Sequence, residues 1–286
     1  MPDISSKKIS KNLASLLAIL FTDASVSPKK KNSWRIYFLN SSEVLIKIFR
    51  DCIVDVFGID QARVRMSRYQ DGFYRAVVNS KEIGNCLVSR FGTFRTLKYE
   101  NGELPCTKLP IDQLIASKVV SEFLKVAFSC DGGLCFYPAY REGNRGGTQW
   151  LIRTIFLTCH HNQLRENYIF LLQSLGIQAR NVVKDGKIKI EDEKNIRKFQ
   201  ELIGFVKGVA VTKHSKFWRQ YQKQDLLNLM ISSYENPSLI YNLSKFSRDK
   251  DIVRPLWRRR ETHRNGLSFR MIAESNKSEI PLYSTP

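Results

Sequence analysis

Residues 13–27 read LASLLAILFTDASVS, and residues 120–135 read VSEFLKVAFSCDGGLC. Each is an apolar run of helical length that stops at one acid, Asp23 in the first and Asp131 in the second. No other carboxylate directly ends so apolar a run. A carboxylate at a helix C-terminus opposes the helix dipole, so neither acid reads as a simple terminator. An ionised carboxylate is also costly to bury unpaired. The expectation is two helices packed together, holding two acids side by side at one exposed end. In the first run Ala14, Ala18 and Thr22 recur every four residues, a small-residue ridge that lets another helix approach closely. The second run offers Ser129 and Cys130, with a bulkier Val126.

Working outward, the two runs head a longer repeat. A strand-like stretch and an amphipathic run follow each, ending in FGIDQARV at 57–64 and LGIQARNV at 175–182. Two strand-like segments then flank Asp71-Gly72 in one copy and Asp185-Gly186 in the other, a strong hairpin signal. Another helix-like run closes each copy. The fold class expected is α+β: tandem duplicated αββαββα units with pseudo-twofold symmetry, two antiparallel saddle-like sheets and a central helix pair, plus a C-terminal helical extension. The boundaries follow: 1–91 the first half, 92–112 a linker with Gly102, Pro105 and Pro110, 113–208 the second half with a Gly-rich insert at 142–147, 209–247 the extension, and 248–286 a basic tail. The tail has little to bury and is expected to be disordered or ordered only on a partner.

The helix starting at Ser42 carries Val44, Leu45, Ile48, Phe49, Cys52, Ile53, Val56 and Phe57 on one face and stops at Gly58. In the strands, apolar residues alternate with cations. Ile36 and Phe38 oppose Arg35 and Tyr37; Val64 and Met66 oppose Arg63 and Arg65; Ala76 and Val78 oppose Arg75; Ile188 and Ile190 oppose Lys187 and Lys189. A half-buried antiparallel sheet has this pattern, and here its wet face is basic. Arg35, Tyr37, Arg63, Arg65, Arg75, Arg153, Arg180, Lys184, Lys187 and Lys189 are the candidate contact set.

The chain of 286 residues carries 46 Lys and Arg against 27 Asp and Glu, a net charge of +19 with a pI near 9.8. That balance points to a polyanion, nucleic acid before membrane. With 43% hydrophobic residues a core is available. The six cysteines show no C-x-x-C pair, and Cys130, Cys135, Cys159, His160 and His161 match no common zinc spacing. Lys7, Lys8 and Lys11 before Leu13–Phe21 have the outline of a secretory signal, yet the matching run at 120 lies deep inside the chain. No run reaches the ~18 apolar residues of a membrane span. An intracellular protein of cytoplasm or organelle matrix, not secreted, is expected.

LLAILFTDA (16–24) and LKVAFSCDG (124–132) resemble the nine-letter motif of the LAGLIDADG homing endonucleases in their single-chain, two-motif form, with Asp23 and Asp131 at the eighth position. The resemblance spans about residues 10–247. It implies two motif helices at the interface of the halves, acids over the DNA minor groove, and two sheets in the flanking major grooves. Catalysis would rest on Asp23, Asp131, His160 and Asn40. Mg2+, or Mn2+ or Ca2+ in the same sites, would be held at Asp23, Asp131, Ala24 and Cys130. The expected activity is hydrolysis of both strands of a long site in double-stranded DNA by a monomer, intron-encoded, with no membrane partner. The alternative is a catalytically weak nucleic-acid-binding protein, such as a maturase of intron RNA. An intein form is disfavoured by the start at Met1 and the lack of a flanking splicing block. Two departures bear on chemistry. Ala24 stands where the second copy has Gly132, which would displace the first site if the position needs a tight backbone. The family places a basic or polar residue just before the helix that follows the first hairpin. Asn40 and Ser41 stand there in one half, His160 and His161 in the other, and lysine is absent from both.

Overall fold

The computed structural model describes residues 8–29, 33–69, 72–97, 99–141, 148–213, 215 and 217–235. The centre of the lysine-rich turn at 30–31, the insert at 142–147 and the tail 248–286 lie outside the described residues.

The first unit runs α1 (Lys11–Leu20), β1 (Ala24–Lys29), β2 (Ser33–Asn40), α2 (Glu43–Phe57), β3 (Arg65–Arg68), β4 (Tyr74–Asn79) and α3 (Lys81–Phe91). A short α4 (Ile111–Ala116) straddles the expected end of the linker. The second unit repeats the order as α5 (Val120–Asp131), β5 (Gly132–Arg141), β6 (Thr148–Thr158), α6 (Asn162–Ser174), β7 (Arg180–Val182), β8 (Lys187–Ile190) and α7 (Glu193–Leu202). Both sheets are antiparallel and share one strand order, β1-β2-β4-β3 and β5-β6-β8-β7. This is the expected tandem αββαββα architecture.

The helix starts have local causes. Ser10 caps α1 by accepting from the Leu13 N–H, and Ser80 and Asp192 do the same for α3 and α7. Gly58 ends α2 in the left-handed region at φ 59°. Gly84 in α3 lies so close to Trp34 that an added Cβ would sit 2.0 Å from its ring, so glycine is what lets α3 rest on β2.

The apolar face of each sheet packs on its helices. Ile36, Phe38, Ala76 and Val78 are fully buried, as are Ile155, Leu157, Ile188 and Ile190. Phe38 meets Phe49 of α2 at 5.4 Å, and Phe128 of α5 meets Phe199 of α7 at 4.9 Å. Each such Val, Leu, Ile or Phe side chain contributes about 1.5–3 kcal/mol by leaving water. At the centre α1 packs along α5, with Leu13, Ala14, Leu17 and Ala18 facing no solvent to speak of. The seam carries two polar ties: Ser15 Oγ donates to Glu122 Oε1 at 3.1 Å, and the Ile9 N–H donates to Ser117 Oγ at 2.8 Å.

The extension differs from expectation. Among the described residues of 208–222 none is helical; a bridge joins Ala210 to Gln222, and the helix of the described part is α8 (Lys223–Glu235), while 236–247 lie outside the described residues. The aromatic residues Phe217 and Trp218 are used on the edge strand β5 instead of on a helix face. Among the described residues no helix is long and apolar enough to cross a membrane.

Candidate functional site

The two acids sit at matching helix ends with different local geometry. Asp131 is the last residue of α5, and β5 starts at the next residue. The chain therefore turns so tightly at Gly132 that an added Cβ would lie 2.5 Å from the Phe128 carbonyl oxygen and 2.9 Å from that of Phe156. In the first half α1 stops at Leu20, and a turn of three residues carries the chain to Asp23 before β1. Ala24 then has room for its methyl, which is buried at 7% exposure. Glycine in one copy and alanine in the other thus follow from where each helix ends.

The two carboxyls lie within hydrogen-bonding reach of one another. Burial pushes both up from the ordinary carboxylate range. For Asp131 the charge of Asp23 adds to burial; for Asp23 the hydrogen bond from Asp131, the charge of Lys223 and the Asn40 amide oppose it. The physical result, without a cation, is one proton retained by the pair on the Asp131 side. Asn40 Nδ2 donates to Asp23 Oδ2 at 2.8 Å, while its Oδ1 accepts from the Ser42 N–H at the start of α2.

Lys223 is a site residue that the sequence reading missed. It is the first residue of α8, buried, and its Nζ donates to the carbonyls of Ser129 and Gly132 at 2.7 Å each. Burial pulls its ammonium down to about 8, against the opposing pull of Cys130, Asp23 and Asp131. Its one sequence signal is position: a cation opening an apolar helix opposes the helix dipole, so it serves something other than its own helix.

The remaining candidates separate. Cys130 has a buried thiol held well above its usual range by burial and in hydrogen-bond contact with Thr22, so only its backbone oxygen could face a cation. Ala24 likewise offers only its backbone. His160 does not occupy the place of Asn40. Ser42 and His161 hold the same helix-start position, and counting from them pairs Asn40 with Cys159, Ile46 with Arg165 and Phe49 with Tyr168. His160 is exposed, its ring against the turn at Gly186. Cys159 is buried and its Sγ donates to the His161 carbonyl at 3.6 Å. His161 Nδ1 accepts from the Leu164 N–H, and Nε2 meets the Pro105 carbonyl at 2.9 Å, latching the linker. Arg165 is 2% exposed and donates to the Cys159 carbonyl at 2.7 Å, to Asn181 Oδ1 at 3.0 Å and to Asn162 Oδ1. The second half thus spends its polar groups on a structural network where the first half spends one on Asp23.

Strand register assigns the basic faces. In the first sheet Ser27, Arg35 and Asn79 form one row, Ser25, Tyr37, Val77 and Arg65 the next, and Leu39, Arg75 and Ser67 a third, all on the face away from the helices. Arg35 lies 4.6 Å over the Tyr37 ring, and Arg75 Nε donates to Ser67 Oγ at 2.6 Å. Arg63 is exposed but sits in a short 3-10 turn, Gln61–Arg63, ahead of β3. In the second sheet Arg180 and Lys189 share a row on the outward face, with Lys187 two residues along. Arg180 pairs with Glu191 at 2.8 Å, Lys189 with Asp185 at 3.5 Å, and Lys184 stands exposed in the turn. Arg153 is a correction. It pairs in register with Phe136 and has the parity of buried Ile155 and Leu157, so it points to the helix side. There it donates to Ser233 Oγ and the Ser233 carbonyl, both at 2.8 Å, and lies 4.2 Å over the Tyr234 ring. Charge alone misplaced it: strand alternation already sets Arg153 with Ile155 and Leu157, and α8 supplies its partners there.

No protein-family model matches the chain, and no curated protein matches it. Among solved structures it is similar to the homing endonuclease I-DmoI in complex with DNA and Mn, at 14% identity over 68% of this chain and 96% of that one, with a TM-score of 0.43. It is also similar to the homing endonuclease I-WcaI bound to its DNA recognition sequence, at 16% identity over 72% and 87% of the two chains, with a TM-score of 0.44. A mutant of I-SmaMI matches at 11% identity over 84% of this chain and 96% of that one, with a TM-score of 0.46.

Proposed function

We propose that this chain is a divalent-metal-dependent, site-specific double-strand DNA endonuclease of the LAGLIDADG homing type, intron-encoded and active as a monomer. One observation carries the reading: two carboxylates from the matching ends of two packed helices meet at the seam between two antiparallel sheets with basic outer faces. A duplex presents two scissile phosphates related by a local twofold axis, and a duplicated chain offers one acid to each.

The donor set fits a hard cation. The Asp23 and Asp131 carboxylates and the backbone oxygens of Ala24 and Cys130 are oxygen ligands of the kind Mg2+ prefers. Among the described residues no three His, Cys, Asp or Glu side chains gather, so phosphate and water would complete the shell. Mn2+ or Ca2+ could take the same ligands. When bound, such an ion supplies an acidified water and stabilises the leaving oxygen. The chain's own residues do the rest. Asn40 fixes the orientation of Asp23. Lys223 pins the end of α5 and sets a positive charge behind the acids. Arg35, Arg65 and Arg75 on one sheet, and Arg180, Lys187 and Lys189 on the other, are placed to meet phosphates and base edges.

A second reading, a nucleic-acid-binding protein such as an intron RNA maturase, is favoured by one detail: among the described residues no carboxamide supports Asp131 as Asn40 supports Asp23. Incubation with Mg2+ and the intron-free form of the chain's own gene locus separates the two. A double-strand cut at one site with short 3′ overhangs supports the endonuclease; tight binding of the intron RNA with no cut in the DNA supports the maturase.

A further inference from the structure

The segment joining α7 to α8 is tied to both halves. The Val206 N–H donates to Ser129 Oγ at 2.9 Å, at the end of α5. Gly208 lies against the start of α2, where an added Cβ would stand 3.1 Å from Val44 Cγ2. Lys213 Nζ reaches the β3–β4 hairpin of the first half, 3.9 Å from where a Cβ on Gly72 would be. The chain then returns and grips the edge strand β5 from both sides. Phe217 stacks on Tyr137 of the outward face at 5.0 Å with 5° between the rings; Trp218 stacks on Phe136 of the helix face at 5.5 Å and donates from Nε1 to the Phe136 carbonyl.

The backbone is built to a fixed shape. Trp218 and Gln220 lie in the left-handed region, at φ 59° and 60°, which costs non-glycine residues on the order of 1–3 kcal/mol each. The Gln220 N–H donates to the Val211 carbonyl at 3.0 Å, and the Val211 N–H to the Tyr221 carbonyl at 2.9 Å, so the conformation is locked. Between the two left-handed residues Arg219 is held outward and exposed; Lys207 and Lys213 are exposed along the same segment.

We infer that the described residues of the 206–222 segment form a strap that contacts DNA at the seam between the two sheets, with Lys207, Lys213 and Arg219 against phosphates. This rests on the endonuclease reading of the site. A loose connection between two helices would need neither aromatic anchors on both faces of β5 nor two left-handed residues around one arginine. The strap also ends at Lys223, so its anchoring is continuous with the acid pair.

The test is the salt dependence of duplex binding, measured by fluorescence anisotropy in EDTA, for the full chain and for a Lys207→Ala, Lys213→Ala, Arg219→Ala triple variant. Each phosphate contact contributes about 0.9 to the slope of log K against log salt. The triple variant is expected to lower the slope by about 2–3, Arg219→Ala alone by about 1. Lys194→Ala on α7 is expected to leave it unchanged. Should the triple variant misfold by near-ultraviolet circular dichroism, the Arg219→Ala slope decides alone. Slopes equal to that of the unmutated chain overturn the strap and leave the acid site untouched. Absence of salt-dependent duplex binding by the unmutated chain overturns the endonuclease reading itself.

Discussion

Replacing Asp131 by Asn is expected to change how the metal-free protein responds to pH. Burial first, and the charge of Asp23 second, raise the Asp131 carboxyl to about 8 in the folded chain; an unfolded Asp titrates at about 3.9. The folded state therefore holds a proton that the unfolded state has lost. The contribution of a raised group to stability is complete below the unfolded value and disappears as pH rises through the folded one. The window runs from about pH 4 to about pH 8. At about 1.4 kcal/mol per pH unit the ceiling is about 5–6 kcal/mol. Solvent access to this partly exposed carboxyl reduces the expected loss to about 2–3 kcal/mol. Urea unfolding in EDTA at pH 5 and pH 8.5 measures it. The unmutated chain should lose that much more stability than Asp131→Asn across the interval, and Ca2+ at pH 8.5 should restore it to the unmutated chain alone. Parallel pH profiles for the two proteins would refute the coupled pair.

Ala18→Leu should overfill the α1–α5 contact and lower stability by about 1–3 kcal/mol in thermal or urea unfolding. Arg153→Ala should cost about 1–3 kcal/mol through its lost bonds to Ser233, yet leave the salt slope of DNA binding unchanged; a reduced slope would return Arg153 to the contact surface. Asn40→Ala should slow cleavage of one strand far more than the other, read as accumulation of nicked product, because among the described residues the carboxamide partner serves Asp23 and not Asp131.

The fold was legible because it is written twice. The acid-tipped runs, the Asp-Gly turns and the helix stop at Gly58 each have local causes, and duplication let one copy correct the other, as when the run at 120 removed the signal-peptide reading of residues 7–21. The cationic face of β2, β4 and β8 followed from period-two alternation. Charge without parity misplaced Arg153: alternation sets it with Ile155 and Leu157, and α8 holds it there. The match of His160 to Asn40 failed by one residue, since counting back from the helix starts Ser42 and His161 pairs Asn40 with Cys159. Lys223 was invisible for a different reason. It reaches the carbonyls flanking Asp131 from a segment outside the repeat, and no spacing rule links a helix start at 223 to a helix end at 131. The strap escaped because its apolar residues, Phe217 and Trp218, read as a helix face while the backbone uses them to clamp a strand edge.

The central claim is that Asp23 and Asp131 together cut both strands of a duplex. The most direct measurement is a strand-resolved cleavage assay in Mg2+ on a duplex selected for binding in Ca2+, with each strand labelled separately. The unmutated chain should yield linear product, and Asp23→Asn and Asp131→Asn should each abolish double-strand cleavage while still binding the duplex. Cleavage of both strands at the unmutated rate by either variant would contradict the account.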